Sequence, residues 1–318
     1  MKKKKILGYV SLLLCSPLSM AMQPMDDQSL SATTGQDGIN IGINTSKVQF
    51  NQISLIDTDG LGTKASPGGS ASLVLAGSDP STRQSFDVSF LGASNNTPVI
   101  NMVVDTDGGK GKPFANIAMS LGSSITGIKV SPFSAYLAGL SSTSSATTSK
   151  SIFTTTGSLN SDVTKLLTVG STANNFTINF NASNKPTVNV QLGNVPQSHL
   201  IMFSGAIQSI CGTADGGGCP ITLVSGSSGA SFNFQLKAND AVNGFLLNNF
   251  YAGVESNGVV FGNTGTSSKF DAALNSVTMG TLGTSDATVF NGIKNGSMGN
   301  MGAVGASVTD LKVKINGL

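Results

Sequence analysis

Tryptophan is absent, histidine occurs once, and charged residues make up only 11% of the 318-residue chain. Each shortage excludes something. Without tryptophan, and with only Tyr136 and Tyr251 beyond the N-terminal segment, no aromatic platform for stacking sugar rings is expected. The single histidine, His199, lies in the strand-like run VPQSHLIMF. A Ser-His-Asp triad needs an acid to hold the imidazole and a nucleophile on a sharp turn. Neither motif surrounds His199, so no enzyme is expected. Soluble domains carry about 25% charged residues, and a chain this far below that figure, rich in Ser, Thr, Gly and Asn, has the balance of exported β proteins. Beyond residues 6–18 no apolar run approaches the about 20 residues of a membrane-crossing helix. No transmembrane helix is expected in the mature chain.

The N-terminus has the parts of a signal peptide. Lys2, Lys3, Lys4 and Lys5 precede the apolar residues 6–18, and Ser19 and Ala21 put small side chains at positions −3 and −1 before Met22. Residues 1–21 are therefore expected to be removed, with export to the periplasm, outer-membrane surface or a pilus. Leu14 stands where a small residue would precede a lipidated Cys15, so a lipoprotein is disfavoured. Cleavage after Ala21 removes four lysines and no acid, turning a net charge of +2 into −2. The basic balance belongs to the leader, and a nucleic-acid partner gains no support.

Two cysteines remain, in CGTADGGGCP: Cys211 and Cys219. In an exported chain such a close pair predicts a disulfide closing a small loop. A metal site would need further thiols or imidazoles, which the composition does not supply.

Apolar residues alternate with period two through most of the chain, as in Ile39-Ile41-Ile43, Phe86-Val88-Phe90 and Phe176-Ile178-Phe180. Bounded by Gly, Asn, Asp and Ser, these runs predict half-buried strands. The expected fold is all-β: an antiparallel sandwich-like or elongated β fold with a short N-terminal helix, or alternatively an irregular β-solenoid. FTINF and VNVQL read as two strands of a hairpin. SDVTKLLTVG and SKFDAALNSV are the best further candidates for short helices. The expected organisation is an N-terminal β region over residues 22–140, a Ser/Thr-rich linker or loop over 141–161, and a C-terminal β region over 162–318. Residues 291–307, rich in glycine, read as a mobile loop. Two echoes, SLIDTDGLGTK with MVVDTDGGKGK and GSSITGIKV with GASVTDLKV, read as repeated local devices rather than a regular array.

The Asp-Thr-Asp-Gly sequences raise a calcium hypothesis. Asp57 with Asp59, and Asp105 with Asp107, have the spacing of hard oxygen ligands in Ca²⁺ loops. The twelfth positions, Gly68 and Asn116, lack the closing glutamate of an EF-hand. The competing reading is a turn in which Asp bonds its own backbone. No other cofactor is expected.

One N-terminal motif stands out. Asp26, Asp27, Leu30, Ser31, Gly35, Gln36, Asp37 and Gly38 punctuate MQPMDDQSLSATTGQDGI, which reads as a capped helical turn feeding the first strand. Together with strands ending in Asp-Thr-Asp-Gly, this stretch resembles the FilA-like pilus-assembly proteins of gamma-proteobacteria, over about residues 22–60. The resemblance implies an exported, non-enzymatic protein of a fimbrial or surface assembly, with envelope or pilus-assembly proteins as partners. Cysteines eight apart, and a C-terminus KVKINGL without a penultimate tyrosine, depart from ordinary pilus shaft subunits. A Ca²⁺-stabilised adhesin or ligand-binding module is the alternative, and a secreted hydrolase a more distant one. Residues 308–315 are the expected interacting strand, acting by strand addition.

Overall fold

Alternating side chains with β-branched and aromatic enrichment favour a pleated, half-buried backbone, and the computed structural model is all-β, with no helix among the described residues. Those residues are 38–57, 71–78, 85–94, 97–139, 163–225, 228–281, 289–290, 293–294 and 296–316. The chain divides into two units, Met1–Ile39 and Asn40–Leu318. Of the first only Gly38 and Ile39 are described, so the expected N-terminal helix lies outside the described residues.

The second unit consists of eight long passages of chain, each antiparallel to the one before. The first contains β1 (Ile39–Ile43), β2 (Lys47–Phe50) and β3 (Gln52–Asp57), and the second β4 (Ala71–Gly77), β5 (Phe86–Leu91) and β6 (Ile100–Asp107). The third contains β7 (Phe114–Leu121), β8 (Gly127–Val130) and β9 (Phe133–Gly139), and the fourth β10 (Val163–Val169), β11 (Phe176–Phe180) and β12 (Thr187–Gly193). The fifth contains β13 (Ile201–Ser204), β14 (Ala206–Ile210) and β15 (Cys219–Ser225), and the sixth β16 (Ser228–Ala238), β17 (Phe245–Leu246) and β18 (Phe250–Glu255). The seventh joins β19 (Gly258–Asn263) to β20 (Phe270–Thr281). After a small hairpin of β21 (Val289–Phe290) and β22 (Ile293–Lys294), the eighth joins β23 (Gly296–Ala306) to β24 (Lys312–Ile315).

Because every passage bends, its segments fall into three parallel rows. A first wall has the order β1-β6-β7-β12-β13-β18-β19-β24. A floor has β2-β5-β8-β11-β14, with β17 beside β14. A second wall has β3-β4-β9-β10-β15-β16-β20-β23, and β16 also pairs with β14, fusing floor and second wall. The ladder continues round the bends. Val99 N–H donates to the Ile43 carbonyl, Gly122 N–H to Val99 and Ala206 N–H to Asn184; at the other bend Ser131 N–H donates to Asp87 and Cys211 N–H to Thr177. The result is a nearly closed, barrel-like antiparallel sandwich.

Three local expectations are corrected. FTINF and VNVQL, as β11 and β12, do not pair with each other: β11 lies between β8 and β14, and β12 between β7 and β13. Buried Asn181 turns the chain between them, its Oδ1 accepting from the N–H groups of Ser183 and Asn184. SDVTKLLTVG and SKFDAALNSV are strands β10 and β20, because pairing on both edges overrides a weak helical pattern. Most of the glycine-rich stretch 291–307 is β23, registered against β20. Residues 141–161 lie outside the described residues, and the strands before and after them pair, β9 with β10 and β7 with β12. GSSITGIKV occupies the bend between first wall and floor, whereas GASVTDLKV occupies the bend between second wall and first wall.

Register stacks apolar side chains across strands. On the first wall Val104, Ile117, Val190, Ile201, Ala252, Phe261 and Val313 stand in one row. The floor carries Phe90, Ile128, Ile178, Ile210 and Leu236. The second wall carries Ile53, Leu75, Ala135, Leu167, Leu223, Ala230 and Met279. Aromatic contacts put all three rows on the inner side of the bends. Phe86 of the floor lies 5.7 Å from Phe133 of the second wall, and Phe245 lies 5.7 Å from both Phe250 and Phe270.

Candidate functional site

The last strand of the first wall combines an open edge with fixed charges. β24 pairs with β19 through Lys312–Gly262, Val313–Phe261, Lys314–Val260 and Ile315–Val259, and its other side ends the sheet. Only residues 312–315 of the expected segment 308–315 form strand. Residues 308–311 turn the bend, with the Val308 carbonyl accepting from Ser267 N–H. Alternation sends Lys312 and Lys314 to one face and Val313 and Ile315 to the other. Val313 and Ile315 are 43% and 68% exposed, beside exposed Val259 and Phe261.

Glu255, the one glutamate of the chain, anchors this strand. Its Oε1 lies 2.7 Å from Lys312 Nζ and its Oε2 2.8 Å from Lys314 Nζ. The bond from Lys312, then that from Lys314, draws the carboxyl from its ordinary 4.5 to about 2, and Lys312 is raised in turn. A depressed carboxylate pKa stabilises the fold fully above 4.5 and loses that contribution as pH falls toward about 2. The group is exposed, so the effect is local. Hydrogen exchange at β24 is expected to quicken across that pH window while β12 stays protected. In Glu255→Gln the acid dependence should vanish; persistence would assign it elsewhere.

The other expected residues are distributed as follows. Cys211 and Cys219 form a disulfide, Cα atoms 5.2 Å apart, at the bend between β14 and β15. Buried Gln235 donates from Nε2 to the carbonyls of Gly212 and Ala214, and buried Asn275 from Nδ2 to Gly217. The bridge contributes about 2–3 kcal/mol in the loop-entropy account and keeps one passage continuous past a seven-residue excursion. Asp105 and Asp107 close β6. Asp105 Oδ1 accepts from Thr106 N–H and Asp107 Oδ1 from Gly109 N–H, as in an Asx turn. Asp57 ends β3, and Asp59 lies outside the described residues. No cluster of three His, Cys, Asp or Glu side chains that could hold a metal occurs among the described residues. His199 stacks on Tyr251, centroids 3.7 Å apart and planes 9° off parallel.

Asp26, Asp27, Leu30, Ser31, Gly35, Gln36 and Asp37, and the cleavage pair Ala21 and Met22, lie outside the described residues. Gly38 is described, at φ 101°, a conformation open to glycine, where the chain enters β1. Sequence reasoning missed Glu255 as an anchor. The signal was there: a lone glutamate and a strand KVKI whose lysines share a face.

Comparison with known proteins adds one match. No curated protein matches, and no solved structure matches. Residues 1–90 match a family described as one of unknown function, DUF6160.

Proposed function

We propose that the chain is an exported, non-enzymatic component of a fimbrial or other cell-surface assembly, joining partner proteins by strand addition at the β24 edge. The observation that supports this reading is the position of β24: it closes the first wall, pairing on one side only among the described residues. An open edge offers main-chain donors and acceptors, and Val313 and Ile315 supply alternate side chains for recognition. The leader-like residues 1–21 and the N-terminal motif add the expectation of export and of a fimbrial setting.

The test uses Val313→Asp with Ile315→Asp in the full-length protein, in its native host. Both side chains are largely exposed, so the melting temperature should hardly change, whereas inward charge on an edge opposes pairing. Recovery of the protein in the shear-released surface fraction should fall at least tenfold. Unchanged recovery would reject β24 as the joining edge, and a native protein confined to the soluble cytoplasm would reject the whole reading.

A further inference from the structure

Passages one and eight hold the end strands of both walls, β1 and β3 on one side and β23 and β24 on the other. Because eight is even and each passage is antiparallel to the one before, these two run in opposite directions. A neighbouring copy that lays its passage one beside passage eight therefore continues the antiparallel alternation. An odd number of passages would have forced the slightly less stable parallel pairing. Every residue of β1 and every residue of β24 is exposed, whereas β7 and β12, inside the same wall, are mostly half-buried.

We propose that the partner of the β24 edge is a second copy of this chain, whose β1 pairs antiparallel with β24, so that copies join head to tail. The inference rests on the reading of β24 as a joining edge and adds what occupies it. Charge favours this pairing over its alternatives. β1 reads INIGI and carries no charge. With Ile41 of the second copy opposite Val313, Ile39 falls opposite Ile315, Asn40 opposite Lys314 and Gly42 opposite Lys312. Apolar meets apolar, and no like charges face each other. Two β24 strands related by a two-fold axis would instead set lysine against lysine whenever Val313 and Ile315 meet their own kind. Lysines on an edge strand commonly guard it against such additions. Here the guard is drawn back. Glu255 ends β18, two strands inward, and holds the Lys312 and Lys314 ammonium groups at 2.7 and 2.8 Å. Both side chains thus reach across β19, where Gly262 stands opposite Lys312, and away from the open side. Neither strand leaves its own sheet in this join. The contact is heterologous, so it propagates into a ring or a filament according to the rotation between copies.

The experiment takes the full-length mature protein in three forms: native, Val313→Asp with Ile315→Asp, and Ile41→Asp with Ile43→Asp. Sedimentation of the native protein should show a concentration-dependent series of oligomers. Each variant alone should stay monomeric. Their equimolar mixture should form a dimer and nothing larger, because each supplies the one edge that the other lacks. Where a charged variant fails to fold, Ile41→Cys and Val313→Cys proteins decide it: oxidised together, they should cross-link one to one. Glu255→Gln, which frees the lysines, should raise the dissociation constant at least tenfold, and adding Lys312→Ser with Lys314→Ser should restore it. A dimer of either charged variant alone, or a cross-link within either cysteine variant alone, would overturn the head-to-tail join. So would a native protein that stays monomeric at every concentration. If the β24 variant is then still lost from the shear-released fraction, the edge joins a different protein and the assembly reading stands without this inference.

Discussion

Gly205→Ala is expected to cost about 4 kcal/mol or more, beyond the range of ordinary substitutions. Gly205 joins β13 to β14, where the fifth passage turns from first wall to floor, and has φ 83°. A non-glycine residue in that left-handed conformation costs roughly 1–2 kcal/mol. The second contribution is steric. A Cβ there would stand 2.6 Å from the carbonyl carbon of Lys185 and 2.7 Å from Cα of Pro186. Both are backbone atoms of the adjacent bend, which cannot retreat freely. Ala206 N–H donates to Asn184, and Asn181 N–H donates to Ala206, so any movement of one bend breaks bonds to the other. Gly212→Ala supplies the comparison: φ is 84°, and nothing lies within 4 Å of the added carbon. It should cost only the conformational penalty. Urea midpoints at unchanged slope measure both. Equal losses within about 1 kcal/mol would mean that the bends are not tightly nested.

How much of this was legible in the sequence follows from the range of the interactions involved. Period-two alternation is local, and Ile39-Ile41-Ile43, Phe86-Val88-Phe90 and Phe176-Ile178-Phe180 are indeed β1, β5 and β11. The cysteine spacing is equally local, and the bridge is present. Pairing is not local. Seven residues containing Asn and Pro look like a hairpin loop between β11 and β12, but whether the strands fold back or continue round a bend depends on Asn181 finding Val242, sixty-one residues away. SKFDAALNSV carries a helical spacing, yet β16 and β23 offer it an edge on each side. The tie between Glu255 and two lysines nearly sixty residues later was hidden for the same reason.

Asn263→Leu is expected to remove about 3 kcal/mol and to loosen the last passage first. Asn263 is 2% exposed at the end of β19. Its Nδ2 donates to the carbonyls of Gly265, at 2.7 Å, and Val308, at 3.3 Å, and its Oδ1 accepts from Leu311 N–H at 2.9 Å. One side chain thus spans the bends of the seventh and eighth passages. Leucine keeps the volume and loses all three bonds. The two carbonyls retain backbone donors, Asp310 N–H for Gly265 and Ser267 N–H for Val308, so the heaviest loss falls on Leu311 N–H. An abandoned buried donor costs roughly 1–3 kcal/mol, and each lost bond about 1 more. Asn263→Asp distinguishes a need for polarity from a need for this amide. Aspartate can still accept from Leu311, but it would press a buried carboxylate against two carbonyl oxygens. It should therefore cost at least as much as leucine and recover partly on acidification, as the carboxyl gains a proton to donate. Hydrogen exchange in residues 308–315 should quicken before the floor opens, because those residues are held through Asn263 and β19. A leucine variant losing less than about 1 kcal/mol, or an aspartate variant as stable as the native chain, would show that β19 alone holds β24 in place.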